Sequence, residues 1–143
     1  MIRSGRTLLV AYFVAMGSFL ALDACWLTFM GPRLYRPQLG GLMASSVDWM
    51  AAVLFYVLYL AGILVFAVVP ASESGRPAGA IARGAVFGLI AYSTYDLTNQ
   101  ATLYGWPWSV TAADLVWGTF ASGIAAGISA WTTPLPASHT VEQ

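Results

Sequence analysis

The chain has 143 residues, of which 59% are hydrophobic, 14% aromatic and only 8% charged, with no net charge at neutral pH. Soluble domains carry about 25% charged residues, so this composition excludes an ordinary soluble fold. With a mean hydropathy of +0.72, the chain reads as an integral membrane protein of one domain. The basic residues are all arginine and nowhere form a patch, so nucleic acid is not an expected partner. A sequence without lysine excludes Schiff-base chemistry. The single Cys25 excludes an internal disulfide or a CxxC site. The only histidine, His139, lies in a polar tail, which removes Ser-His and Cys-His catalysis from a membrane site.

Four apolar runs follow one another at residues 8–30, 49–69, 81–103 and 110–131, each of 21 to 23 residues. About 20 residues suffice to cross the hydrocarbon core as a helix. Gly31-Pro32, Pro70, the Gly- and Pro-containing residues 72–79 and Gly105-Trp-Pro-Trp108 bound the runs. The expected fold is an all-α, integral membrane four-helix bundle over residues 1–131, with a disordered polar tail at 132–143.

Arg3 and Arg6 ahead of the first run resemble the start of a signal sequence, and Leu22-Asp-Ala-Cys25 resembles a lipoprotein cleavage site. Asp23 is out of place in such a segment, and the run stays apolar beyond the cysteine, so it is expected to remain as a true helix. With four spans, Arg3, Arg6, Arg76 and Arg83 fall on one side and Arg33 and Arg36 on the other. The positive-inside rule then places both termini in the cytoplasm. Trp49, Trp106, Trp108 and Trp131 fall at span ends, where interfacial anchors belong.

Gly84 and Gly88, and Gly123 and Gly127, form GxxxG patterns on the last two runs. Such patterns let membrane helices approach closely. They are expected to hold this bundle together, with a homo-oligomer or a membrane partner as the alternative use.

Polar residues are few, and their heights agree. At 1.5 Å per residue, Asp96 and Asp23 both lie roughly 22 Å above the cytoplasmic boundary. Asp114 lies roughly 6 Å, and Tyr56 and Tyr59 about 10–15 Å, below the outer one. Tyr92, Tyr95, Asp96 and Asn99 recur at helical spacing on one face. Asp23 with Trp26, Asp114 with Trp117, and Tyr56 with Tyr59 are each three apart and share faces. Four such stripes turned inward make an acidic, aromatic cup opening outward. The inner half is dry, since residues 60–69 and 86–91 carry no polar side chain, and this disfavours a transmembrane path for ions or protons.

An ionisable residue within a span marks a functional site by default. Carboxyl groups this close can serve as general acid and base, hold a divalent cation through oxygen ligands, or hold an ammonium between carboxylates and aromatic faces. No metal site and no cofactor are assigned. The structural alternative is a hydrogen-bond network, centred on Asp96, Asn99 and Gln100, that ties the helices together.

Leu22-Asp-Ala-Cys-Trp-Leu27, Leu54-Phe-Tyr-Val-Leu-Tyr59, the stretch from Tyr92 to Leu103 with its Tyr-Asp-Leu-Thr-Asn core, Trp106-Pro107 and Asp114-Leu-Val-Trp-Gly118 carry a family resemblance. The sequence resembles small bacterial four-span membrane proteins grouped as a domain of unknown function. The resemblance implies a protein of the bacterial cytoplasmic (inner) membrane and a lipid-related role, and it brings no activity with it. The expected function is binding of a lipid-like or amphiphilic molecule, with membrane lipids as partners. Asp96 is its expected main contact, aided by Asp23, Asp114 and Asn99, with Tyr56, Tyr59, Tyr92, Tyr95, Trp26 and Trp117 as walls. The alternatives are a lipid-modifying enzyme using Asp23, Asp96 and Asp114 in acid/base catalysis, and a non-catalytic subunit of a membrane complex.

Overall fold

A computed structural model describes residues 4–72 and 76–133. Its regular elements are all helical: α1 (Gly5–Met30), α2 (Trp49–Ile63), α3 (Pro77–Thr102) and α4 (Trp108–Thr132), with short helical extensions after α1 and α2. The fold is an all-α membrane bundle. The expected polar tail lies outside the described residues from 134 onward.

Local chemistry sets several of the helix ends. The Asp48 carboxylate caps α2, accepting from the backbone N–H of Met50 at 3.0 Å and of Ala51 at 3.1 Å, which satisfies donors that the first turn leaves open. Pro77 occupies the first position of α3, where its missing N–H costs nothing. Gly105, with φ of +77°, turns the chain between α3 and α4 through the left-handed region.

Two prolines expected to end helices do not. After Met30 the helix continues as a wide π-type turn, Gly31–Tyr35, and then Arg36–Leu39. After Ile63 it continues through a second such turn, Leu64–Val68, to Val69–Ala71. A proline in a helix donates no hydrogen bond and crowds the carbonyl four residues back. Widening the turn moves the next donor to the fifth carbonyl, as for Arg36 N–H on Gly31 O and Val69 N–H on Leu64 O.

Gly5–Leu42 and Trp49–Ala71 are each long and apolar enough to cross a membrane. Helices α3 and α4 have the length, 26 and 25 residues, but hold more polar and small residues, which they bury against each other. Their pairing is the most extensive in the molecule. A Cβ at Gly84 would lie 2.6 Å from the Ser122 carbonyl oxygen, and one at Gly88 would overlap the Gly118 carbonyl oxygen. Gly123 and Gly127 face Ile81 in the same seam. Both GxxxG patterns therefore work within the chain.

The bundle is apolar outside, and its interior mixes a hydrophobic core around Phe19, Leu60, Ile63 and Val68 with buried polar groups. Phe13, Trp49, Met50, Leu58, Phe66 and Val116 are exposed, whereas Asp23, Asp96, Thr111, Asp114, Ser122 and Ser129 are buried. An exposed apolar coat of this extent is the surface a bilayer covers. Trp49, Trp108 and Trp131 stand exposed at helix ends, as interfacial anchors should. Trp106 does not: it is buried, and its indole N–H donates to Thr111 Oγ1 at 3.1 Å.

Candidate functional site

Two of the aspartates are held by hydroxyl and indole donors from other helices. Asp23 on α1 accepts from the Tyr56 hydroxyl of α2 at 2.5 Å and from the Trp117 indole of α4 at 3.1 Å. Asp114 on α4 accepts from the hydroxyl of Tyr35, which lies in the π-type turn after α1. Tyr35 in turn accepts from the Trp26 indole at 2.7 Å. The indoles of Trp26 and Trp117 stack in parallel, 4.5 Å apart and 7° from coplanar. Tyr56, Asp23, Trp117, Trp26, Tyr35 and Asp114 thus form one connected chain of contacts across α1, α2 and α4.

Asp96 is placed differently. On α3, Ala80, Gly84, Gly88 and Asp96 are the buried positions, four or eight residues apart along one face. Gly88 meets Gly118 and Ser122, while Gln100 Oε1 accepts from Thr111 Oγ1 at 3.1 Å. Asp96 lies between these two contacts, so it packs in the α3–α4 seam near the first turn of α4. It is fully buried, and neither carboxylate oxygen has a hydrogen-bond partner among the described residues. Above it, Gln100 Nε2 donates to the Trp106 carbonyl at 2.9 Å, and Trp106 and Thr111 close the seam. Hydrogen-bonded ties between helices run through Asp23, Asp114, Gln100, Tyr59, Ser129 and Tyr12, and none among the described residues runs through Asp96.

A cleft of about 570 Å³ opens sideways between α2 and α3, reaching Asp114 on α4. It exists because the close approach to α3 is made beyond Ile63, by the extension of α2 over residues 64–71. Farther up, aromatic side chains bridge the gap: Tyr59 contacts Phe87 at 5.4 Å and Tyr92 at 6.2 Å between ring centroids. Phe55, Tyr59, Tyr92 and Tyr95 supply rings to the wall. The Tyr59 hydroxyl is engaged with Ser122 Oγ at 2.7 Å. Thr94 and Thr98 also line the cleft, yet their hydroxyls donate to the carbonyls of Ile90 and Thr94 on their own helix. The segment from Arg36 to Asp48 borders a second recess with Tyr95 and Trp106.

The model of a family described as predicted membrane proteins, DUF2177, matches residues 8–131. The chain belongs to that family. No curated protein and no solved structure matches it.

The stretch shared with DUF2177 contains every residue of the contact chain, the seam and the cleft. Of the residues expected from sequence, Asp23, Asp114, Tyr56, Trp26 and Trp117 meet in the contact chain, and Tyr59, Tyr92, Tyr95 and Asp114 meet at the cleft. Asn99 is half-buried beside Tyr95 and lies on neither. Helical periodicity left Tyr35 unmarked. Trp26 and Tyr35 are nine residues apart, about two and a half turns on a straight helix, which puts them on opposite faces. Only the bend at Gly31-Pro32 brings them together.

Proposed function

We propose that this membrane protein binds an amphiphilic molecule of the bilayer, which enters the cleft between α2 and α3 from the side and sets its polar end against Asp114. The observation that carries this reading is the grading of the cleft. Its exposed lining is Phe55, Tyr95 and two threonines whose hydroxyls are engaged on their own helix, and its buried lining includes the Asp114 carboxylate. Such a wall matches a molecule with an apolar tail and a polar head, where a few placed polar groups fix orientation. The arginine distribution supports cytoplasmic termini, which puts the cleft in the outer half of the inner membrane.

The test is retention of amphiphiles by the protein purified in non-ionic detergent, read by mass spectrometry. Ala91→Trp fills the cleft and is expected to abolish retention while the protein still melts cooperatively. Equal retention by a folded Ala91→Trp variant sinks the reading.

A second reading, acid/base chemistry on a lipid, is favoured by one observation. The Asp96 carboxyl is buried without a partner and lies close enough to Asp114 to feel its charge. Two carboxyl groups in unlike surroundings suit general acid and base roles. This reading requires lipid conversion that stops in Asp96→Asn and Asp114→Asn. If purified protein leaves every lipid class unchanged, it is excluded.

A further inference from the structure

The cleft also carries information about the head group of its occupant. Among the described residues, Asp114 is the one acidic side chain on its wall, and no basic side chain lines it. The Asp114 carboxylate takes one hydrogen bond, from Tyr35 to Oδ1, and Oδ2 accepts none among the described residues. The other hydroxyls in reach are largely engaged, Tyr59 with Ser122 and the two threonines with their own helix. What remains for a ligand is a carboxylate oxygen and the Tyr92 hydroxyl, on a wall shared with the rings of Phe55, Tyr59, Tyr92 and Tyr95.

Aromatic faces and a carboxylate attract the same kind of group. A ring quadrupole draws a cation within about 6 Å of its centroid, and the attraction is larger when the cation is desolvated. The same wall repels phosphate, sulfate or carboxylate, which need arginine, lysine or open backbone donors. Here the backbone donors of α2 and α3 are used within the helices. We infer that the cleft selects amphiphiles whose head is a positively charged amine or quaternary ammonium, with the cation between Asp114 and the aromatic wall. This inference rests on the amphiphile-binding reading and specifies its ligand.

The test uses protein in non-ionic detergent and three spin-labelled dodecyl probes that differ only in the head: trimethylammonium, hydroxyl and sulfate. The readout is the immobilised component of the spin-label spectrum. The ammonium probe is expected to bind wild type roughly tenfold tighter than the alcohol, a difference of about 1.4 kcal/mol, and the sulfate weakest. Asp114→Asn is expected to lose the preference for the ammonium probe over the alcohol, and Asp114→Glu to retain it. Should Asp114→Asn fail to fold, Phe55→Leu serves instead, with a smaller loss of the same preference.

Equal binding of ammonium and alcohol, or tighter binding of sulfate, overturns the head-group inference and leaves the cleft as an amphiphile site. Absence of immobilisation for every probe, or immobilisation unchanged in Ala91→Trp, overturns the amphiphile reading as well.

Discussion

The Trp117 indole donates to Asp23 across 94 residues of sequence, at 3.1 Å. Helical spacing pairs each aspartate with the indole three residues on, Asp23 with Trp26 and Asp114 with Trp117. The fold exchanges these partners. Trp117 reaches over to Asp23, while Trp26 reaches Asp114 only through the Tyr35 hydroxyl. The stacked indoles lie at the crossing. Three helical segments are thereby tied by hydrogen-bonded side chains, and a buried polar network of this kind rigidifies a core.

Trp117→Phe keeps a ring against Trp26 but removes the donor to Asp23. Its unfolding free energy in detergent is expected to fall by about 1–3 kcal/mol, because a buried acceptor loses a partner. Trp108→Phe, at an exposed indole, is expected to stay within about 0.5 kcal/mol of wild type. Equal losses in the two variants would remove the Asp23 contact from the account.

Gly88→Ala tests the seam between α3 and α4. The new Cβ would overlap the Gly118 carbonyl and lie 2.5 Å from Ser122 Oγ, so backbone must move. Overpacking of this kind costs about 1–3 kcal/mol and occasionally more. Gly17→Ala, at a glycine with nothing within 4 Å of the added carbon, is expected to be neutral or stabilising, since alanine is the better helix former. Thermal melts of the two variants side by side decide the point.

Asp96→Leu and Asp23→Leu are expected to act in opposite directions. Removing a buried carboxyl that has no partner relieves a desolvation penalty of about 1–3 kcal/mol, so Asp96→Leu should melt later than wild type. Asp23→Leu strands the Tyr56 hydroxyl and the Trp117 indole and should melt earlier. A destabilised Asp96→Leu would make Asp96 a structural residue.

Tyr35→Phe leaves Asp114 without its donor and Trp26 without its acceptor. A loss of about 1–3 kcal/mol is expected, together with a shifted tryptophan emission as the Trp26 indole is released. An unchanged spectrum would mean that the bend after α1 does not hold Tyr35 in place.

Much of this was legible in the sequence, for local reasons. Apolar length and helical period are properties of neighbouring residues. They were enough to read an all-α membrane bundle of four long helices and to single out Asp23, Asp114, Tyr56, Trp26 and Trp117 as groups that converge. The GxxxG patterns likewise marked the helices that approach closely. The tertiary structure decided which indole serves which carboxylate, because that depends on the rotation and register of helices far apart in the chain. It recruited Tyr35, because a proline-induced wide turn breaks the period on which a face is read. It separated Asp96 from the cleft although Tyr92 and Tyr95 share its stripe. A face roughly 100° wide can turn one edge to α4 and the other to α2, and only the packing of α3 between them settles which residue goes where.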